Sequence, residues 1–281
     1  MPELPEVETI ARGLAKRVTG DMIDSVWIGS KPEPLKSSAR AIAALLEGAR
    51  IERVHREGKH IVLDLSKGRK SAASKELAGH WIVHLGMTGR LLIAGPQTEV
   101  VKHTHLTARL ASGRELRFVD PRRFGRLSVV KLTGKDQNGN VFPGLEPLEI
   151  EFQAFAALFC KRDTPMKSAL LNQKLLRGIG NIYADESLFR AKVRPRRRAG
   201  KLTQVELQRL HAAIQQVLRE AIAAGGSSVS DYVDASGEEG FFQLRHRVYG
   251  REGEPCLLCK TPIKRIVIAG RSSHYCPKCQ K

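Results

Sequence analysis

No run of about 18 apolar residues occurs in the 281-residue chain, so no transmembrane helix is expected. The start, Met1-Pro2-Glu3-Leu4-Pro5-Glu6, has neither the basic residues nor the apolar stretch of a secretory signal, and a cytoplasmic protein is expected. Cysteine is scarce, with five residues, and 29 acidic side chains face 47 lysines and arginines. Apolar residues, at 42%, suffice for buried cores and exclude wholesale disorder. One core rarely organises more than about 250 residues, so more than one domain is expected.

The shortage of acidic groups leaves a formal net charge of +18. The excess is not a tail: residues 1–150 carry 24 basic and 17 acidic side chains, and residues 151–281 carry 23 and 12. A globular chain that is basic in both halves suits a polyphosphate partner, nucleic acid above all. A ribosomal protein or a basic enzyme shares the imbalance, so charge gives a class of partner and no chemistry.

Four of the five cysteines form two Cys-x-x-Cys knuckles, Cys256/Cys259 and Cys276/Cys279, separated by sixteen residues. That spacing predicts one tetrahedral Zn2+, structural because four thiolates leave no open position. Disulfides do not suit a chain without an export signal, and redox chemistry needs only one pair. The fifth, Cys160, follows an apolar run and is expected to be a small buried hydrophobe.

Val7, Ile10, Leu14 and Val18 recur at helical spacing over residues 5–18, and Ser38 is placed to cap a short helix bearing Ile42, Leu45 and Leu46. Eight short β-type runs surround them, at 25–29, 50–56, 59–65, 80–85, 90–94, 104–110, 114–119 and 126–131, which suggests a sandwich or barrel. Residues 66–79 look like an enlarged polar loop. After residue 134 helical patterns dominate. Helices are expected from Thr164-Pro165 through 173, over Asn181–Ala191, and over 203–224 with a Thr203/Glu206 capping box. Residues 225–255 show no period and read as a mobile loop. The run Ile263–Ile268 fits one strand of a hairpin finger. Arg194-Pro195-Arg196-Arg197-Arg198 reads as a solvated charge run.

Six runs then carry a resemblance. PELPEVET at the start, HLGMTGR (84–90), DPRRFG (120–125), GIGNIYADESL (178–188), YGREGEPC (249–256) and the terminal cysteines occur in this order. Together they resemble the bacterial formamidopyrimidine-DNA glycosylases, also called 8-oxoguanine DNA glycosylases, over essentially the whole chain. The resemblance implies a multidomain α+β protein. Its parts would be an N-terminal β-sandwich catalytic domain (1–133), a linker (134–150), a helix-two-turn-helix domain (151–224), a lesion-capping loop and connection (225–255) and a β-hairpin zinc finger (256–281). It implies a monomeric, nucleoid-associated enzyme of base excision repair that acts on double-stranded DNA carrying an oxidised base, with AP-lyase activity and no membrane contact.

The resemblance also implies roles, residue by residue. Removal of Met1 exposes the secondary amine of Pro2, partly neutral near pH 7 because terminal amines have a pKa of about 8. That amine attacks the sugar C1′ and expels the base, leaving an iminium that drives elimination. Glu3 protonates the ring oxygen and shuttles protons, Glu6 supports it, and Lys59 contacts phosphate and lesion. A base treated in this way must leave the stack, and Met87, Arg122 and Phe124 fill the gap. His84, Lys167, Asn181 and Arg271 clamp the backbone, Arg271 also serving the chemistry from the finger tip. Without the resemblance, Glu6 is a helix-start charge, Lys59 a solvated strand-end lysine, Met87 and Phe124 core residues, and Asn181 a helix cap beside free amides.

Two departures stand out: the length of the 66–79 loop, and Ser230 in GGSSVSDYV where the family has a lysine. Two other readings compete. One is an endonuclease VIII-like glycosylase for oxidised pyrimidines, against which Leu4 and the Met/Arg/Phe set argue. The other is a non-enzymatic basic zinc-finger protein, against which intact Pro2, Glu3 and Lys59 argue.

Overall fold

The computed structural model describes residues 1–67, 77–132, 142–228 and 240–281. Ser230, most of the 66–79 loop and the start of the linker lie outside these. The chain divides into two compact units. The first comprises Met1–Pro2, Glu6–Val141 and Ser227–Gly240; the second comprises Glu3–Pro5, Phe142–Gly226 and Phe241–Lys281.

The first unit is a sandwich of two antiparallel four-stranded sheets. One has the order β1 (Ile23–Ile28), β6 (Thr104–Leu110), β7 (Glu115–Val119), β5 (Arg90–Ala94). The other has the order β2 (Arg50–Glu57), β3 (His60–Ser66), β4 (Leu77–His84), β8 (Arg126–Lys131). All eight expected strands are present. β4 begins at Leu77, earlier than the pattern suggests, because Gly79 interrupts it; a Cβ there would lie 2.3 Å from the Val130 carbonyl oxygen. Helix α1 (Leu4–Val18) and helix α2 (Ala39–Leu46), capped by Ser38 Oγ on the Ala41 amide at 3.2 Å, bury their apolar faces in the sandwich core with Trp81 and Phe118. A polar face on one side and burial on the other is what their spacing demands.

The second unit is helical, with α3 (Phe152–Phe159), α4 (Met166–Leu171), α5 (Asn181–Arg190) and α6 (Gln204–Ala223). Both halves of the Thr203/Glu206 capping box on α6 form. α5 lies against α6 and is buried from Ile182 through Phe189, so it has no polar stripe to read. Strands β9 (Lys264–Ile268) and β10 (Arg271–Tyr275) make the finger hairpin, with Ala269-Gly270 as its turn.

Three expectations are corrected. Cys160 is exposed, because it stands just past α3, whose buried face ends at Phe159. The stretch 240–255 is not a mobile loop. Phe242 enters the helical core at the head of a 3-10 turn (Phe242–Arg245), and single buried anchors of this kind leave no periodic signature. The arginine run is not simply solvated: Arg194 donates to the Gln280 and Pro277 carbonyls, each at 2.8 Å, and Arg197 grips Glu206 at 2.8 and 3.0 Å.

Candidate active site and metal centre

In the first unit, Pro2 is buried at the foot of α1 and Met1 is 48% exposed. Glu6, one turn along, accepts the Ser227 amide at 2.8 Å and is buried. Lys59 follows the positive-φ Gly58 in the β2–β3 turn and is also buried. His60 at the start of β3 pairs with His84 at the end of β4, with ring centroids 5.0 Å apart. Burial, then His60, Lys59 and Arg126, push the His84 pKa down to about 4. The ring is therefore neutral near pH 7. Its Nδ1 accepts the Gly86 amide at 3.1 Å, which leaves Nε2–H as the donor.

The loops after β4 and β7 are locked together by Asp120, which is fully buried. Its carboxylate accepts the Thr88 hydroxyl at 2.6 Å and the Gly125 amide at 2.7 Å. Gly86 has φ +64, and a Cβ there would stand 2.5 Å from the Phe124 carbonyl carbon, so only glycine permits the approach. The frame holds Met87 and Phe124 out, 41% and 52% exposed, and the Arg122 guanidinium lies 4.7 Å from the centre of the Phe124 ring. Met87 and Phe124 are thus exposed apolar side chains on a braced frame. Sequence reasoning does not single out Asp120, although it opens the DPRRFG run.

In the second unit, Glu3 takes the amides at the start of α5. Its two oxygens accept Ile182 N at 3.2 Å and Tyr183 N at 3.4 Å, and it is 4% exposed. The anion at this helix N-terminus is thus a residue of the chain's own start. Gly180 makes room for it, since a Cβ there would sit 2.2 Å from the Glu3 carboxyl carbon. Gly178, at φ +92, does the same for Leu4.

Asn181 donates from Nδ2 to Ser272 Oγ at 3.2 Å. Lys167 is fully buried; its ammonium pairs with Asp185 and donates to the Asn181 and Ser272 carbonyls at 3.2 and 3.3 Å. Burial pushes its pKa down and Asp185 opposes the shift. Asp185 also accepts the His274 amide at 2.9 Å, so one carboxylate ties α4, α5 and β10 together. Arg271 opens β10 at the hairpin turn and is exposed. Glu186, fully buried, accepts the amides of Arg247, Val248 and Tyr249 at 2.9–3.0 Å, and burial pushes its pKa up. Sequence reasoning misses Asp185 and Glu186, although both lie in the GIGNIYADESL run.

The four knuckle sulfurs lie within 4.8 Å of one another. The Cys256–Cys279 and Cys259–Cys276 pairs are 3.9 and 3.4 Å apart. A tetrahedron with Zn–S bonds of about 2.3 Å has edges of about 3.8 Å, so the four residues fit one structural zinc.

Three family models match in succession: the formamidopyrimidine-DNA glycosylase N-terminal domain over residues 1–127, its H2TH domain over 144–233, and the zinc finger found in FPG and IleRS over 253–281. The chain belongs to the formamidopyrimidine-DNA glycosylase family. A family member from Solibacter usitatus is 46% identical, with both chains covered completely. The crystal structure of the MutM (Fpg) protein from Thermus thermophilus is 41% identical over 99% of this chain and 98% of its own, with a TM-score of 0.83. Lactococcus lactis Fpg in complex with DNA containing an abasic site is 32% identical over 99% of each chain, with a TM-score of 0.87. Both the family and its zinc finger agree with what the six runs imply. Among the described residues no helix is long and apolar enough to cross a membrane.

Proposed function

We propose that this chain is a bifunctional DNA glycosylase and AP lyase of base excision repair, acting on oxidised purines in duplex DNA as a monomer. The observation that carries the reading is the Gly180 cradle. It fixes Glu3 on the α5 amides, and Pro2 is the residue directly before it.

With Met1 removed, the Pro2 nitrogen attacks C1′ of the damaged nucleotide. The N-glycosidic bond breaks and its electron pair leaves with the base, which takes a proton from water. Glu3 accepts the N–H proton released by the attacking Pro2 nitrogen and passes it to the ring oxygen as the sugar opens, giving an iminium between Pro2 and C1′. Loss of the C2′ proton then expels the 3′ phosphate, and a second elimination expels the 5′ phosphate. Glu6 and Lys59 border this chemistry. Met87, Arg122 and Phe124 occupy the gap left by the flipped nucleotide, and neutral His84, Asn181 and Arg271 hold the backbone. Lys167 serves by placing Asn181 and β10, since its ammonium is already engaged by Asp185. Zinc keeps the knuckles closed and takes no part in bond breaking. The domain roles follow the expected boundaries, the stretch from residue 240 to 255 serving as the connection to the finger.

The test is borohydride trapping on duplexes with 8-oxoguanine opposite cytosine, 8-oxoguanine opposite adenine, or thymine glycol. Processed protein is expected to cross-link and cleave, favouring 8-oxoguanine opposite cytosine, because Arg122 is a pure donor and cytosine offers two acceptors. A permanent N-terminal tag is expected to abolish both products. Normal cleavage by tagged protein overturns the role of Pro2, and stronger activity on thymine glycol favours the pyrimidine reading.

A further inference from the structure

Leu244 is 80% exposed, the most exposed large apolar side chain among the described residues. Leu257 and Leu258, between the first two zinc cysteines, are 46% and 63% exposed. Leu244 and Leu257 line a surface depression of about 430 Å³ together with Arg190, Arg245 and Arg247. Glu220 lines it too, but Arg190 already holds both its oxygens, at 2.8 and 2.6 Å. Arg245 and Arg247 form no ion pair among the described residues and are exposed. Three arginines against one glutamate leave two positive charges on the rim, over an apolar wall.

The place of this patch matters. Arg190 is the last residue of α5 and Asn181 is the first, about 14 Å away along the helix axis. Leu257 lies in the knuckle at the root of the hairpin, and Arg271 lies at the turn, with the paired strands between them about 13 Å long. On the reading that nucleic acid is held by Asn181 and Arg271, the patch lies at the far end of both elements and stays open while DNA is bound.

We infer that this patch is a docking site for an acidic, amphipathic peptide segment of a partner protein. One large apolar side chain sits between Leu244 and Leu257, and neighbouring carboxylates pair with Arg245 and Arg247. Charge complementarity selects this occupant. A nucleic-acid backbone satisfies the arginines and leaves both leucines against its hydrated phosphates. A second copy of this chain, itself at +18, brings like charge to a positive rim. Apolar anchors with complementary charge around them are the usual grammar of short-segment recognition.

The test selects a random-peptide display library on the zinc-loaded full chain and measures the enriched peptides by fluorescence anisotropy. Enriched sequences are expected to combine Asp or Glu with Phe, Leu, Ile or Trp. Leu244→Glu, and separately the double variant Arg245→Glu/Arg247→Glu, are expected to weaken binding at least about tenfold. Affinity for an abasic duplex is expected to stay the same in Leu244→Glu, and saturating duplex is expected not to displace the peptide. Equal binding to Leu244→Glu, enrichment of basic peptides, or no enrichment overturns the proposal. Displacement by duplex overturns it in favour of a nucleic-acid surface, and self-association abolished by Leu244→Glu overturns it in favour of a dimer. Failure of the wild type to bind duplex at all strikes the proposed function, and the peptide selection still decides this one.

Discussion

The two units present their proposed functional side chains by different physics. In the sandwich, Met87, Arg122 and Phe124 stand on turns shaped by glycine and held by the hydrogen bonds that converge on Asp120. In the helical unit, Asn181 and Arg271 are positioned by buried charge: Lys167 against Asp185, Glu186 against three amides, and a four-thiolate metal site. Packing and turn geometry tolerate the loss of one contact with a local adjustment. A buried charge that loses its partner has nothing to adjust to, because no water reaches it. The sandwich is therefore expected to degrade gradually under perturbation, and the helical unit abruptly.

Metal removal gives the largest expected contrast. Chelation, or Cys256→Ser, should unfold the hairpin and lower affinity for an abasic duplex by at least about a hundredfold, since structural zinc contributes of order 10 kcal/mol to small domains. The sandwich should keep its own thermal transition. Calorimetry with metal analysis checks both, and a single transition lost as a whole breaks the contrast.

A pair of aspartates comes next. Asp185→Ala strands the Lys167 ammonium in the core and should cost about 3–5 kcal/mol. Asp120→Ala strands only the Thr88 hydroxyl and the Gly125 amide and should cost about 1–3 kcal/mol. Urea denaturation of both variants orders them. Lys167→Met combined with Asp185→Ala should recover much of the first loss, which a merely crowded site would not do.

Much of this contrast is invisible in the sequence, for physical reasons. Features set by near neighbours are legible: the α1 stripe, the Ser38 cap, the Thr203 box, the eight strands and the knuckles. Features set across the chain are not. Glu3 meets its amides at Ile182 and Tyr183, and no local pattern announces that. The resemblance assigns Lys167 to a phosphate, whereas its burial depends on Asp185 and β10. α3 ends at Phe159 with no glycine directly after it to mark the stop, which hides the fact that Cys160 lies past its end.

A glycine probes the boundary between the two styles. Gly180→Ala puts a methyl against the end of the Glu3 side chain, 2.2 Å from its carboxyl carbon. A flexible side chain can move, so stability should fall by only about 1 kcal/mol. Base excision should fall far more, by roughly a hundredfold, because displaced catalytic groups lose rate steeply. Single-turnover excision beside a melting curve separates the two. Equal losses would mean that the cradle is only structural.

The smallest effect is a shared one. His84 in the sandwich and His246 in the helical unit are both pushed down to about 4, chiefly by burial. The unfolded chain takes up those protons near pH 6.5 and the folded chain resists, so stability is full above that pH and declines as pH falls towards 4. Melting temperatures should drop by a few degrees between about pH 7 and 5, and His84→Gln should flatten the decline. Unchanged melting over that interval would show that neither ring resists its proton.

The Glu3 cradle also sets a schedule. Ile182 and Tyr183 do not exist until nearly two-thirds of the chain has been synthesised. At about 5–20 residues per second, the opening residues wait roughly ten to forty seconds on the ribosome as an unpacked peptide before their partner helix emerges. Removal of Met1, on which the proposed chemistry rests, has that whole interval in which to occur before α5 pins Glu3. The late arrival of α5 thus leaves the chain's start unfixed through most of synthesis, and Glu3 is fixed only once most of the protein has been made.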